Sequence, residues 1–129
     1  MSLGKINFND PKKYRALIPE MLNAASFVSF VTRQVSIDPR AKKFLDQLKD
    51  VAGVKREEVF TWPGTELLCD EPAILYLVDF NEDCSNVILS YTSSWGDWIE
   101  PFFEDPAFYR IDHSLILGTV IHEHDVWIE

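Results

Sequence analysis

Helix signals fall early in this chain and strand signals fall late, and this order constrains the fold more than any other feature. Asp10-Pro11 and Asp38-Pro39 each combine an N-cap residue with proline at the first helical position. Each pair precedes apolar residues at helical spacing, and Gly53 follows the second helical stretch as a stop signal. Because helices and strands are segregated rather than alternating, the order predicts an α+β fold and not a series of βαβ units.

Two segments leave alternatives open. Pro19 interrupts the first helical stripe, which predicts either a kink or a new helix that starts at this residue. Residues 27–37 are rich in β-branched and aromatic side chains, which favours a strand. A helix continuing from Met21 would also place the valines of this segment acceptably, but we favour the strand.

From Phe60 onward, turn residues separate short apolar runs that are typical of strands. Residues 62–65 predict a turn, and residues 73–80 and 87–92 predict two strands of a hairpin joined by a polar connection. Residues 114–121 and 126–128 supply one or two more strands. The sequence therefore predicts a single domain over residues 1–129, with N-terminal helices packed on one face of a mainly antiparallel sheet of about four to five strands.

Charge is divided as unevenly as secondary structure. Residues 1–56 contain 11 Lys and Arg and 5 acids, whereas residues 57–129 contain one basic residue, Arg110, and 16 acids. The two parts therefore carry +6 and −15, and the net charge is −9. This balance disfavours nucleic acids and anionic membrane surfaces as partners, and it favours a basic protein. We expect part of the contrast to be neutralised internally, where the helices pack on the sheet.

Composition indicates an ordinary globular protein. At 129 residues and 47% hydrophobic content, the chain can bury one sizeable core. The N-terminus has no apolar segment typical of a signal peptide, and no apolar run is long enough to span a bilayer. Cys69 and Cys84 form neither a CxxC motif nor a disulfide framework, so we expect reduced thiols and a cytoplasmic location.

The densest feature is the stretch of residues 91–109, where seven aromatic residues alternate with acidic ones. Seven rings in 19 residues are more than one face of one element can bury, which favours a recognition surface with aromatic anchors and carboxylates for Lys or Arg. The alternative is a core segment with a solvated acidic rim. The residues predicted to contact a partner are Trp95, Asp97, Trp98, Glu100, Phe102, Glu104 and Asp105.

A second candidate site is the triplet at residues 122–124. On a strand, His122 and His124 would point to the same side and could bind zinc with a third ligand. Asp112 or Asp125 could be that ligand, as could His113 if the chain turns back. The alternative is two exposed histidines on an edge strand. We expect no other cofactor, because the chain has no glycine-rich phosphate loop and no nucleophile motif.

Three functions follow from these patterns. A small acidic domain with aromatic residues is suited to bind and neutralise a basic protein, in the manner of a bacterial immunity or antitoxin-like inhibitor. The second function is a non-catalytic structural domain, monomeric or homodimeric, in which the acidic part of one copy meets the basic helices of another. The third is a metal-binding protein or hydrolase that uses His122 and His124. We favour the first, and an enzyme is the least favoured of the three interpretations.

Overall fold

A computed structural model describes residues 4–33 and 36–129. Within these ranges the chain forms three α-helices, nine strands and three short 3-10 helices. The α-helices are α1 (Pro11–Glu20), α2 (Pro39–Val51) and α3 (Glu82–Tyr91). The strands are β1 (Gly4–Lys5), β2 (Phe27–Thr32), β3 (Val54–Val59), β4 (Thr61–Trp62), β5 (Thr65–Glu66), β6 (Ala73–Asp79), β7 (Glu104–Tyr109), β8 (Leu115–Val120) and β9 (Asp125–Ile128). The 3-10 helices are Met21–Asn23, Trp95–Asp97 and Ile121–Glu123.

Seven strands form one antiparallel sheet in the order β1-β9-β8-β7-β2-β6-β3, and β4 pairs with β5 in a separate hairpin. The α+β class and the antiparallel sheet are confirmed, but the sheet is larger than the four to five strands predicted. Strand β3 was missed because it contains the charged run Lys55–Glu58, which has no apolar alternation. It lies at the edge of the sheet, where exposed charged side chains are common.

The two helices with Asp-Pro signals are confirmed. The side chain of Asp10 accepts a hydrogen bond from the backbone of Lys13, and Asp38 caps α2 in the same way. Pro19 lies one residue before the end of α1, and a 3-10 helix follows, so the chain neither kinks within a continuing helix nor starts a new α-helix there. Within residues 4–33 and 36–129, no helix has the length and apolar character needed to cross a membrane.

The strand predicted over residues 27–37 is confirmed by β2 for its first part only, because β2 ends at Thr32 and residues 33, 36 and 37 are not in a strand. The turn over residues 62–65 is confirmed by the β4–β5 hairpin. Gln34 and Val35, which fall in the same predicted strand, lie outside the described residues.

The prediction of a hairpin over residues 73–92 is confirmed for its first strand, which is β6. It is wrong for its second strand, because α3 takes that place. Asn81 begins this helix: its Oδ1 accepts from the Cys84 N–H at 2.8 Å, and its Nδ2 donates to the Val51 carbonyl at 3.0 Å. Glu82 and Asp83 then occupy the first turn, where acids are favourable to the helix dipole. Asn, Asp and Ser serve both as turn residues and as N-caps, so the polar connection was compatible with either a hairpin turn or the start of a helix.

The two faces of the sheet are covered by different elements. The three helices cover one face over the main core, whose largest fully buried members are Trp95, Trp98, Tyr14, Phe30, Phe44, Phe103 and Phe108. On the other face, Trp62 of the β4–β5 hairpin packs with Val31, Ala73 and Leu75 in a smaller cluster. A cleft lies on this second face, beside the hairpin.

Candidate functional site

The aromatic residues predicted to contact a partner are core residues. Trp95, Trp98 and Phe102 are 1%, 0% and 4% exposed. Trp98 Nε1 donates to the Tyr14 hydroxyl at 2.9 Å, and burial raises the pKa of Tyr14 to about 12, so this phenol stays neutral. A partner therefore cannot reach these rings in the folded protein, so they are not candidate contact residues. Five of the seven rings are buried because residues 91–109 pass through several elements that pack on the core, whereas Tyr91 and Tyr109 are only partly buried.

Asp97, the first acid of the predicted set, is exposed but has a local role. Its Oδ2 accepts backbone hydrogen bonds from Ser93 at 2.6 Å and from Ser94 at 3.2 Å. These bonds form part of a capping box for the 3-10 helix Trp95–Asp97. Asp97 is therefore engaged in holding the loop after α3.

Asp105, the last acid of the set, is buried and connects two parts of the structure. Its Oδ2 accepts from Trp62 Nε1 at 2.8 Å, and its Oδ1 accepts from the Ile121 N–H at 2.9 Å. The residue is 8% exposed and adopts a positive φ of 52°. Asp105 thus ties the β4–β5 hairpin to the turn after β8, and each of its oxygens already accepts one hydrogen bond.

The cleft opens between these two tied elements and has a volume of about 800 Å³. Its apolar lining residues are Val31, Trp62, Ile99 and Val120. Its acidic lining residues are Glu66, Glu100, Glu104, Asp105 and Glu123. Arg33 and His122 are the basic side chains that line it, so five carboxyl groups face one guanidinium and one imidazole. Charged side chains outnumber apolar ones in this lining, so the cleft is better suited to a charged group than to an apolar ligand.

Glu104 is the most enclosed of the cleft acids that are free of hydrogen bonds in the described part of the chain. Its side chain is 13% exposed, and its Oε2 lies 3.9 Å from His122 Nδ1. Burial raises the pKa of Glu104, and the neighbouring carboxyl groups of Asp105 and Glu100 raise it further. His122 and Arg33 act in the opposite direction but do not outweigh these causes. The cleft therefore holds a carboxylate whose negative charge is incompletely compensated.

Replacing Glu104 with glutamine is expected to stabilise the protein at neutral pH. A carboxyl group with a raised pKa in the folded state favours folding below its unfolded pKa, and this contribution is lost as pH rises through the folded pKa. The gain in unfolding free energy from Glu104→Gln should therefore be largest near pH 7 and should shrink as pH falls toward the ordinary glutamate pKa. Urea unfolding across this pH range measures it. A gain that is the same at every pH would contradict the electrostatic cause.

The histidine pair does not have the geometry that the metal hypothesis assumed. Strand β8 ends at Val120, so His122 lies in a 3-10 helix, and His124 follows with a positive φ of 54°. His122 lines the cleft, whereas the His124 ring stacks on Phe8 at 4.4 Å. The strand placement is therefore wrong. Within residues 4–33 and 36–129, no group of three or more His, Cys, Asp or Glu side chains is arranged to hold a metal ion.

The charge contrast between the two parts of the chain is largely unneutralised around the cleft. Lys5 and Asp125 form an ion pair at 2.6 Å that joins the basic and acidic parts. Glu66, Glu100 and Glu123 have no ion-pair partner among the residues that the structure describes. Their charges are therefore available to a partner.

Sequence reasoning identified Glu100, Glu104 and Asp105 but missed the other walls of the cleft. Glu66 and Glu123 come from the hairpin and from the turn after β8, and only the fold brings them near Glu104. The excess of acidic residues over residues 57–129 was the available signal, and it did not indicate which of them line the cleft. No family model, curated protein or solved structure matches this chain significantly.

Proposed function

We propose that this protein binds and neutralises a basic protein partner, and that the acidic cleft receives a Lys or Arg side chain of that partner. The observation that carries the proposal is the set of five carboxyl groups around one partly apolar cleft. Three of them, Glu66, Glu100 and Glu123, have no ion-pair partner among the described residues. The function is that of a stoichiometric inhibitor and resembles the action of immunity proteins.

The lining of the cleft suits a long basic side chain. The methylene stem of Lys or Arg can pack on Ile99 and Val120, while its cationic end meets the carboxylates. A cation next to Glu104 would also offset the cost of enclosing that charge beside Asp105. The acidic surface would further speed the encounter with a basic protein by electrostatic steering.

We also propose that this interaction takes place in the cytoplasm. Cys69 is exposed and Cys84 is buried, and neither forms a disulfide. Unpaired cysteines are usual in reducing compartments. The partner would then be a basic protein that must be inhibited inside the cell.

Affinity capture with a charge-reversed cleft tests the proposal. Immobilised wild-type protein is expected to retain a basic protein from cell extract at moderate salt and to release it at high salt. The variant Glu66→Lys/Glu100→Lys/Glu123→Lys should bind that protein roughly 100-fold more weakly, because like charges juxtaposed in an interface cost several kcal/mol.

A matched variant separates the cleft from the net charge. Glu20→Lys/Asp50→Lys/Glu58→Lys changes the net charge by the same amount at exposed positions that do not line the cleft. It should capture the partner as the wild type does. Equal losses in both variants, or full capture by the cleft variant, would remove the cleft as the binding site. Circular dichroism spectra must show that both variants are folded.

A further inference from the structure

Two arginines from different helices meet at the C-terminal end of α3. Arg15 of α1 donates to the carbonyl groups of Leu89 at 3.3 Å and Thr92 at 3.4 Å. Arg40 of α2 donates to the Tyr91 carbonyl and lies over the Tyr91 ring. The N-terminal parts of α1 and α2 therefore converge on the last turn of α3, whose carbonyl groups carry partial negative charge.

Three lysines extend this cationic cluster into solvent. Lys12 lies three residues before Arg15 and Lys43 three residues after Arg40, so each shares a helix face with its arginine. Lys13 is also exposed in the first turn of α1. None of the three lysines has an ion-pair partner in the described ranges. We call the five residues Lys12, Lys13, Arg15, Arg40 and Lys43 the basic end.

The cations of the basic end outnumber the three acids at its helix N-termini and in the loop after α3. The carboxyl groups of Asp10 and Asp38 accept backbone N–H groups as the N-caps of α1 and α2. Asp97 accepts two backbone N–H groups in the loop after α3. Asp10 and Asp38 offset the positive partial charges of the helix N-termini, and the five cations still exceed the three carboxylates. The basic end is thus a cationic surface on a molecule whose net charge is −9.

The chemistry of the acidic cleft is complementary to this surface. The basic end belongs to the helical layer, whereas the cleft lies on the opposite face of the sheet, beside Trp62 and Val31. One molecule can therefore present both surfaces at once. A nucleic acid is a poor occupant of the basic end, because its phosphates would be repelled by the excess of acids elsewhere on the molecule.

We propose that the basic end docks on the acidic cleft of a second copy of this chain, forming a head-to-tail assembly. The interface is heterologous, so it either closes into a ring or continues as a chain. The proposal shares the cleft with the proposed function, and a basic partner would compete with self-association for it. At about 0.1 M salt, where the Debye length is about 10 Å, repulsion between distant charges is screened and contacts at the interface dominate.

Sedimentation analysis of neutralised variants tests the assembly. The wild type should show a mass that rises with protein concentration at about 0.1 M salt and returns to that of a monomer at about 1 M. Glu66→Gln/Glu100→Gln/Glu123→Gln and Lys12→Gln/Lys13→Gln/Lys43→Gln should each raise the dissociation constant at least tenfold. Mixed together, these two variants should form a dimer and nothing larger, because only one intact junction remains between them.

A control variant tests whether the loss of assembly is specific to the basic end. Lys49→Gln/Lys55→Gln/Arg56→Gln removes the same charge away from the basic end and should still assemble. A wild type that stays monomeric at every concentration, or variants that assemble as it does, would overturn self-association. A monomeric wild type that still captures a basic protein overturns this inference alone, whereas self-association without such capture overturns the proposed function alone.

Discussion

Replacing Asp105 with alanine is expected to lower the free energy of unfolding by about 3–5 kcal/mol, since two buried donors then lose a charged acceptor. Both carboxylate oxygens are occupied, one by Trp62 Nε1 and one by the Ile121 N–H. Total stabilities of small proteins are about 5–15 kcal/mol, so this loss is a large fraction. Urea unfolding followed by tryptophan fluorescence and circular dichroism measures it.

Two companion variants isolate the cause. Asp105→Asn keeps one accepting oxygen and tolerates a positive φ at least as well as aspartate, so about half of the loss is expected. In a double-mutant cycle, Trp62→Phe should cost little more once Asp105 is already alanine. Additive effects of the two substitutions would show that the carboxylate does not hold the hairpin.

The role of Asp105 also bears on the cleft. Sequence reasoning placed it among partner contacts, whereas its hydrogen bonds make it a positioning residue for the two elements that border the cleft. The hairpin contributes Glu66 and the turn contributes Glu123, so their separation depends on the bond network of one buried residue. A short hairpin outside the main sheet needs such an anchor, because two-stranded hairpins are marginally stable alone.

The parts of the fold that sequence predicted correctly depend on local chemistry. Asp10 and Asp38 act as N-caps whatever the rest of the chain does, because the acceptor and the N–H groups lie within three residues. The β-branched run of β2 likewise suits a buried strand. The error at α3 arose where local chemistry has two outcomes, since Asn81 could start a turn or a helix. Packing of Cys84 and Ile88 into the main core accompanies the helix.

The candidate site could be predicted only in its chemistry. The excess of acids after residue 56 indicated an acidic surface, but the cleft acids come from the hairpin, the loop before β7, β7 and the turn after β8. Such positions converge through long-range strand pairing, which no local pattern encodes. The number of aromatic residues in residues 91–109 suggested a recognition surface, but rings on several elements, such as Trp95, Phe102 and Phe108, pack into one core. The density of aromatic residues along the chain does not indicate how exposed their side chains are.

Trp98 gives the sharpest test of whether the aromatic stretch is core or surface. Its side chain is fully buried, contacts the rings of Phe30, Phe44 and Phe102, and donates a hydrogen bond to Tyr14. Trp98→Ala is therefore expected to destabilise the protein by about 3–5 kcal/mol, as large-to-small substitutions of buried aromatic residues do. Urea unfolding at neutral pH measures the loss.

Trp98→Phe should cost less, about 1–2 kcal/mol, because it retains most of the apolar packing and removes the N–H donor to Tyr14. The Tyr14 hydroxyl keeps its 2.6 Å hydrogen bond with Thr92, so phenylalanine leaves no buried hydroxyl without a partner. This order, alanine far worse than phenylalanine, is a property of a packed core. If Trp98→Ala instead kept the wild-type unfolding midpoint and lost only partner capture, Trp98 would be a surface anchor and the buried arrangement of residues 91–109 would be refuted.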